Sequence, residues 1–483
     1  MSLGRRLAAL ASVALLVAAA CSSPATRVDR SRVAAVGSGP AEQAGGESGE
    51  RAGEEFGEEE EGDADRIVRT GLAERTGSLR RATAPGWVGE RIFGNGNDWE
   101  PATATDPGAP YVYLMTTRYS GRGPLPCDRC DIPAMALKVS GDGGATFGDV
   151  TYMPVDRSGG QYDPQIETDD AGDVFAAWIN GGFRIVVSMS TDHGQTWSPP
   201  IVVSKPAGWA DHPWIGVSPS GQHVCVAFNH AASWVSCSHD GGVTWPEAVQ
   251  ISTQDRYFYA NGDIVRDDGS VVVSNASYRR HGYHGDIKVV VSRSADGVTW
   301  TNDIVDTVAE QPPCENRGCP HDHYGGQYAL GSDADGDLVL AYDGAIRPLG
   351  AQYIWVRHSE DGGVTWSERK RLSPRMPHIV ASFTAAVGVG DGDFRVSWQD
   401  SRNGIRRWNT FARRSTDGGL TWDPAVRISD AGGGRGYKHP AGYDADYGDF
   451  SEIDVTNTGR TVATWGEGFS YDGPGGTWFN LED

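Results

Sequence analysis

One eight-residue pattern recurs along this chain, and its spacing limits the fold more than any other feature. At 359–366 it reads Ser-Glu-Asp-Gly-Gly-Val-Thr-Trp. The general form is Ser-x-Asp-x-Gly-x-Thr and then an aromatic residue, and further copies begin at Ser140, Ser190, Ser238 and Ser415, with a shortened copy at Ser294. Successive copies start 50, 48, 56, 65 and 56 residues apart. Periods near 50 residues that contain several short strands are typical of a β-propeller.

Each copy lies between two short apolar runs, such as 185–189 and 200–203, so the motif is predicted to join two antiparallel strands. Glycine supplies the positive φ of the turn, and the Asp carboxylate accepts backbone N–H bonds there. The aromatic residue closes the hairpin as an apolar plug. Six carboxylates resemble a catalytic array, but a residue that every blade requires serves the fold.

This motif is the Asp-box, and over about residues 87–483 the chain resembles the sialidase superfamily of propellers, which carry bacterial neuraminidase repeats. The resemblance implies an all-β propeller. Asp-boxes also occur in glucanases, lectins and assembly factors, so the resemblance says little about chemistry. Sialidases hold the substrate carboxylate with three Arg residues and use an Asp acid/base and a Tyr–Glu pair. Here 90–94 reads Glu-Arg-Ile-Phe-Gly without the expected Pro, so those roles cannot be transferred to particular residues.

The units between the motifs predict seven four-stranded blades, whereas six blades, as in sialidases, is the alternative. Each unit reads as strand A, a Gly-containing turn, strand B, a variable loop, strand C, the motif and strand D. The last unit ends after its strand C at 477–481, and an unassigned strand at 87–93 precedes the first unit. We therefore expect the N-terminal strand to complete the last blade, which removes an open sheet edge.

Charge and composition divide the chain into three parts. The formal charge of −22 argues against a nucleic-acid partner. Residues 22–84 lack a periodic apolar pattern and include an acidic run at 58–61, so they are predicted to form a disordered linker. The propeller domain is assigned to 85–483, and we expect a monomer.

The first 21 residues predict export. Arg5 and Arg6 precede an apolar run at 7–20, which is too short to span a membrane and is typical of a signal peptide. Small residues before Cys21 resemble a bacterial lipoprotein box, although Ala18 stands where Leu is usual. We expect lipidation of Cys21 and anchoring on the outer side of the cell membrane, with ordinary cleavage and secretion as the alternative.

The other six cysteines fall into local pairs: Cys127 with Cys130, Cys225 with Cys237, and Cys314 with Cys319. Cys225 and Cys237 are equally distant from Ala231 in a predicted hairpin, so they face one another at a distance that a disulfide can span. An oxidising compartment favours disulfides for all three pairs. His321 and His323 lie beside Cys319, which leaves zinc binding as the alternative.

Polar residues at the starts of the A strands and in the B–C loops are expected on the propeller face opposite the motifs. Alignment on the Gly turns puts Asp98, Asp211 and Asp449 in one column, with Asp163 and His212 one place further on and Glu100 and Asn261 next. Such carboxylates could bind Ca²⁺, form an acid/base pair, or tie down loops by accepting backbone N–H bonds. The candidate catalytic residues are Asp163, Asp211, Asp449 and Glu467. The candidate ligand-binding residues are Asp98, Arg118, His212, Arg347 and Arg402, since converging Arg side chains suit a carboxylate ligand.

Taken together, the sequence predicts a cell-envelope propeller that binds glycans. The resemblance adds exo-glycosidase activity of the sialidase type as a further expectation. A non-catalytic scaffold for protein interaction or assembly is the competing hypothesis.

Overall fold

The computed structural model describes residues 84–94, 96–121, 133–157, 159–253, 256–279, 285–309, 328–348, 350–404, 408–429, 438–439, 442–443, 450–468 and 475–483. Their regular secondary structure consists of seven four-stranded antiparallel sheets and a two-stranded ribbon. The seven sheets are the blades of a β-propeller, which confirms the predicted fold and favours seven blades over six. Within these ranges, no helix is long and apolar enough to cross a lipid bilayer.

The strands are numbered in chain order, beginning with β1 (Arg91–Ile92). Blade 1 contains β2 (Gly96–Thr105), β3 (Val112–Gly121), β4 (Ala134–Ser140) and β5 (Thr151–Tyr152). Blade 2 contains β6 (Tyr162–Thr168), β7 (Val174–Ile179), β8 (Ile185–Ser190) and β9 (Ile201–Val202). Blade 3 contains β10 (Asp211–Val217), β11 (Val224–Asn229), β12 (Ser233–Ser238) and β13 (Val249–Gln250). Blade 4 contains β14 (Arg256–Val265), β15 (Val271–Arg279), β16 (Ile287–Ser294) and β17 (Trp300–Val308).

The second half continues the same pattern. Blade 5 contains β18 (Tyr328–Ser332), β19 (Leu338–Ala345), β20 (Gln352–Ser359) and β21 (Lys370–Arg371). Blade 6 contains β22 (Ala381–Val389), β23 (Asp393–Asp400), β24 (Asn409–Ser415) and β25 (Val426–Arg427). The ribbon is formed by β26 (Lys438–His439) and β27 (Gly442–Tyr443). Blade 7 contains β28 (Ser451–Val455), β29 (Thr461–Gly468) and β30 (Gly475–Leu481), together with β1.

The N-terminal strand closes the ring as predicted. In the register of β1 and β30, Arg91 lies opposite Phe479. On either side of this pair, Val88 N donates to Leu481 O and Phe93 N donates to Thr477 O, both at 2.9 Å. Regular pairing is confined to 91–92, but the bonded segment extends over the predicted 87–93. The two ends of the described domain therefore hold one another in a single sheet, which covers the outer edge of β30.

Large apolar side chains fill the spaces between facing blades. Trp178 packs between blades 1 and 2, Trp398 between blades 5 and 6, and Trp465 between blades 6 and 7, each with 0% exposure. Alternation along each strand sends successive side chains to opposite faces of a sheet, so every blade contributes to two such layers.

The repeated motifs, which we call the repeat turns, connect the third and fourth strands of blades 1 to 6. In the copy at 359–366, Asp361 Oδ1 accepts the N–H of Thr365 at 2.8 Å and Oδ2 accepts its hydroxyl at 2.6 Å. Ser359 Oγ accepts the N–H of Gly363 at 2.8 Å. These bonds, the Thr365 hydroxyl first, lower the pKa of Asp361 to about 2. The carboxylates of Asp142, Asp192, Asp240 and Asp417 make the same bonds.

One predicted disulfide is confirmed. Cys225 on β11 lies directly opposite Cys237 on β12, and the two are bonded. Cys21, Cys127, Cys130, Cys314 and Cys319, and with them His321 and His323, lie outside the described residues.

Candidate functional site

The innermost strands of five blades share a β-bulge close to their first residues. Regular pairing of the innermost strand with its neighbour is interrupted between Trp99 and Ala102, Tyr162 and Gln165, Asp211 and Trp214, Ala260 and Asp263, and Ser382 and Ala385. In blades 1 to 3 the first bulged residue is Glu100, Asp163 or His212, with φ of 55°, 53° and 52°. This left-handed conformation is uncommon outside glycine and costs free energy.

A proline follows each of these three residues, at positions 101, 164 and 213. Proline has no N–H to donate, so it suits the unpaired second position of a bulge. In three consecutive blades, therefore, a bulge followed by proline positions an acidic or imidazole side chain in the first part of the innermost strand.

Hydrogen bonds connect these bulges from blade to blade. Glu100 Oε2 accepts the hydroxyl of Thr117 at 2.5 Å and the backbone N–H of Asp163, in blade 2, at 3.1 Å. Asp163 Oδ2 in turn accepts the N–H of His212, in blade 3, at 3.3 Å. His212 Nδ1 lies 3.0 Å from the carbonyl oxygen of Ala260, in blade 4. The polar side chains at the mouth of the channel thus join blades 1 to 4.

An aromatic residue from the far side of the ring reaches the same place. Phe450, which precedes β28 in blade 7, stacks on the ring of His212 with centroids 4.7 Å apart and also contacts Trp214 at 5.8 Å. Blades 3 and 7 are not neighbours in a ring of seven, so this contact crosses the central channel. Phe450 is 1% exposed and obstructs the mouth at this point.

A second group of carboxylates lies further along the innermost strands. Glu452 Oε2 accepts the N–H of Thr103 and Asp454 Oδ2 accepts that of Thr105, both at 2.6 Å, so blade 7 satisfies free edge amides of blade 1. Burial raises the pKa of Glu452 to about 8 and that of Asp454 to about 6. Burial likewise raises the pKa of Asp263 to about 8.

Glu167 belongs to the same group. Burial, followed by the charges of Asp454 and Glu452, raises its pKa. Glu167 is nevertheless exposed, so water reaches its side chain and screens these charges. Glu167 thus lies within electrostatic reach of the other three carboxyl groups, in an environment that favours the protonated forms of all four.

The structure separates two residues that the sequence alignment put in one column. Asp98 pairs with Arg118, whereas Asp211 lies opposite Asn229, directly before a bulge. Asp98 therefore lies two residues before the bulged residue of its strand, whereas Asp211 lies one residue before the bulged residue of its strand. Arg118 Nε and Nη2 donate to the two Asp98 oxygens at 2.7 and 3.0 Å, and both residues are buried next to Phe93 at the seam of blades 7 and 1.

Two other predicted site residues are bound to residues two positions earlier in the chain. Arg402 donates from Nε and Nη2 to Asp400 at 2.8 and 2.6 Å. Glu467 is buried and accepts the indole N–H of Trp465 at 3.0 Å. Arg347 is exposed in a loop of blade 5. Arg118 and Arg402 therefore each face an Asp that already neutralises them, and the structure does not bring the predicted Arg residues together.

One predicted catalytic residue, Asp449, lies outside the described residues. Among the residues that are described, no group of three or more His, Cys, Asp or Glu side chains has an arrangement that could hold a metal ion.

The sequence prediction missed a set of aromatic residues on this face, which we call the aromatic band. In blades 1 and 2, Trp99 lies 4.0 Å from Tyr119, Tyr119 lies 6.2 Å from Tyr162, and Tyr162 stacks on Phe183 at 6.1 Å with 12° between their planes. Phe183 is 38% exposed and has φ of 51°. The signal available in the sequence was an aromatic residue directly before an acidic residue and a proline, as in Trp99-Glu100-Pro101 and Tyr162-Asp163-Pro164.

The aromatic band continues into blade 3. The N–H of Ala210 donates to Phe183 O at 2.9 Å, which places Trp209 directly beyond Phe183. Trp209 meets the ring of His230 edge to face at 4.6 Å, and His230 lies 6.2 Å from Trp234. Burial, and then the charge of Arg184, lowers the pKa of His230, which favours the neutral imidazole.

Comparisons with known proteins give structural neighbours only. No protein-family model matches the chain, and no curated protein matches it. A Hadza microbial sialidase superposes with a TM-score of 0.43 at 17% identity, covering 74% of each chain. A polysaccharide lyase described as an ulvan lyase gives 0.48 at 13% identity, over 81% of this chain and 94% of that one. A Trypanosoma rangeli sialidase gives 0.40 at 13% identity, over 79% of this chain and 53% of that one. Similarity at this level carries no conclusion about activity.

Proposed function

We propose that the face of blades 1 to 3 that carries the aromatic band binds carbohydrate. The observation that supports this most directly is the stacked pair of Tyr162 and half-exposed Phe183, which lies beside the acidic bulges. Pyranose rings have C–H-rich faces that pack on aromatic rings, and their hydroxyls need nearby hydrogen-bonding partners. A flat apolar platform with a few polar groups at its edge meets both needs.

The charge of the site favours a neutral glycan. Glu100, Asp163 and Asp211 stand at the starts of adjacent innermost strands, and the chain carries a formal charge of −22. Arg118 forms an ion pair with Asp98 and Arg402 forms one with Asp400. Neither guanidinium group is therefore available for a bidentate pair with a sugar carboxylate. An acidic sugar such as sialic acid would approach these carboxylates, while the guanidinium groups of Arg118 and Arg402 are already engaged by Asp98 and Asp400, which sets this proposal apart from the sialidase-type expectation.

A glycan array that contains neutral, amino and sialylated oligosaccharides tests this proposal. We expect neutral glycans to bind, and Phe183→Ala and Trp209→Ala each to weaken binding at least tenfold at unchanged melting temperature. Val364→Ala is the matched control, because Val364 is an apolar side chain, 55% exposed, in a repeat turn. Absence of binding to every glycan, or equal binding by all variants, would contradict the proposal and favour the protein scaffold.

Glycoside hydrolysis is a second candidate that one specific observation favours. The carboxylates of Glu100 and Asp163 occupy equivalent strained positions in adjacent blades, directly beside the aromatic band. Glycosidases use two carboxyl groups that flank the scissile bond. A panel of fluorogenic glycosides, with EDTA and with added Ca²⁺, measures this activity, and Glu100→Gln and Asp163→Asn should abolish it without unfolding the protein. Full turnover by both variants would exclude these carboxylates.

We also propose, from the sequence, that the protein is exported and anchored through a lipid on Cys21. The apolar run before Cys21 and the small residues next to it support this proposal. Cys21→Ser should move the protein from the membrane fraction to the medium. Wild-type protein that is found mainly in the medium would contradict lipidation.

A further inference from the structure

Two histidines form a cross-strand pair beside the disulfide of blade 3, on the side of the propeller that carries the repeat turns. Val224 and Ser238 are the last paired residues of β11 and β12, so His223 and His239 are the next pair along the two strands. Cys225 and Cys237 lie two residues away from them on the same strands. Positions two apart share a face of the sheet, so the disulfide fixes the spacing of the strands directly beneath the two imidazoles.

The two rings are close and accessible. Their Nδ1 atoms are 2.8 Å apart, and the ring centroids are 5.0 Å apart with 71° between the planes. His239 is exposed and His223 is half-buried. At 2.8 Å the Nδ1–H of one ring donates to the Nδ1 lone pair of the other, so both Nδ1 atoms face the space between the rings.

Two turns of blade 4 pack against the histidine pair. A Cβ atom at Gly269 would lie 3.6 Å from Cε1 of His223, so this turn passes directly against the ring. A Cβ atom at Gly297 would lie 3.0 Å from Sγ of Cys237 and 3.7 Å from Nε2 of His239. Both glycines have positive φ, 82° and 72°, which allows the backbone to approach this closely. The histidines are thus held by the disulfide on one side and by the next blade on the other.

We propose that His223 and His239 chelate a divalent transition-metal ion, with Cu²⁺ the best fit. Two imidazole nitrogens about 2.0–2.1 Å from a metal and at right angles to one another are about 2.9 Å apart. That separation is close to the 2.8 Å observed between the two Nδ1 atoms. It is the separation of adjacent ligands in the tetragonal geometry that Cu²⁺ prefers, and Cu²⁺ also binds such ligands most tightly among the divalent first-row transition metals. The imidazole that donates from Nδ1 would carry its proton on Nε2 instead, which leaves both Nδ1 lone pairs available to the metal, and water would occupy the remaining positions.

The surroundings carry negative charge that suits a cation. Asp267, in the blade 4 turn that contains Gly269, accepts the N–H of Ser220 at 2.9 Å. The hydrogen bonds from Ser220 lower its pKa, so this carboxylate is ionised.

Electron paramagnetic resonance of the full chain without a polyhistidine tag, titrated with Cu²⁺, tests the proposal. We expect hyperfine coupling to two nitrogens, a dissociation constant in the micromolar range, and loss of one bound ion in both His223→Gln and His239→Gln. His358→Gln, which removes a histidine from blade 5, is the matched control and should bind like the wild type. Mg²⁺, which prefers oxygen ligands, should not compete.

Two results would overturn the proposal. One is a wild-type spectrum without coupling to two nitrogens, which needs no variant and so does not depend on how the variants fold. The other is an unchanged number of bound ions in His223→Gln and His239→Gln at wild-type melting temperatures.

Discussion

The two faces of this propeller use the same chemical group in different ways. On the repeat-turn face, Asp361 accepts the N–H and hydroxyl of Thr365, four residues away in the same turn. On the opposite face, Glu100 accepts the N–H of Asp163, 63 residues away in the next blade. In both places a carboxylate satisfies a backbone amide. The first bond stabilises one hairpin, whereas the second holds two blades together.

This difference explains why the repeated motif is a guide to the fold and a poor guide to the site. A turn that contains its own partners can be copied into every blade without regard to its neighbours. A side chain that bonds to the next blade depends on what that blade offers. The bulged positions therefore vary, with Glu100, Asp163 and His212 in blades 1 to 3 and Phe383 in blade 6. Variation of this kind leaves room for a binding surface.

The largest expected effect comes from removing the connection between the first and last strands altogether. Deletion of residues 85–94 removes β1, the pair of Arg91 with Phe479 and the bonds from Val88 and Phe93. We expect the melting temperature to fall by more than 10 °C, because one sheet loses a strand and the ring opens. Addition of a peptide of residues 84–94 should restore much of the loss, and a scrambled peptide should not. An unchanged melting temperature would show that the ring does not depend on this strand.

The next effect concerns the hydrogen bond that Glu100 makes between blades 1 and 2. Glu100→Ala leaves the buried Thr117 hydroxyl and the N–H of Asp163 without their acceptor, which should cost about 2–3 kcal/mol in the free energy of unfolding. Glu100→Gln keeps an acceptor oxygen and is the matched control. Urea unfolding of both variants measures the difference. Equal stability of the two variants would mean that the bond between the blades contributes little.

A further effect concerns pH. In the folded protein the pKa of Glu452 is about 8, well above the value near 4.3 of an unfolded chain. Between about pH 5 and pH 8 the folded state therefore binds more protons than the unfolded state, so stability should fall as the pH rises. Glu452→Gln retains an acceptor for Thr103 and cannot ionise, so it should be more stable than the wild type at pH 8 and similar at pH 5.

Melting temperatures across that range measure the effect, with Glu360→Gln, an exposed glutamate in a repeat turn, as the control. A wild-type melting temperature that rises from pH 5 to pH 8 in parallel with that of Glu452→Gln would contradict the assignment of a raised pKa.

The smallest effect is expected in a repeat turn. Asp361→Asn weakens bonds to Thr365 that are confined to one exposed turn, so the melting temperature should fall by less than for Glu100→Ala. Because the folded pKa of Asp361 is about 2, its contribution should be present above pH 4 and disappear as the pH falls toward 2. A loss as large as that of Glu100→Ala would remove the distinction between the two faces.

The sequence was sufficient for the architecture and insufficient for the site, for physical reasons. The spacing of the motifs, the alternating runs and the unmatched N-terminal strand depend on local patterning, and the seven blades, the closure and the Cys225–Cys237 bond follow from them. The contact of Phe450 with His212 joins blades 3 and 7 across the channel, and no sequence period encodes it. Bulges also change the register by one residue, which is why Asp98 and Asp211 align in sequence but occupy different positions in space.

The central claim is that glycan binding belongs to the face with the aromatic band, whereas the carboxylates of the repeat turns serve the fold. Melting temperature and glycan binding, measured together on Phe183→Ala and Asp361→Asn, test it most directly. We predict that Phe183→Ala loses glycan binding at an unchanged melting temperature, while Asp361→Asn binds normally and melts at a lower temperature. Loss of binding by Asp361→Asn at an unchanged melting temperature, with normal binding by Phe183→Ala, would contradict it.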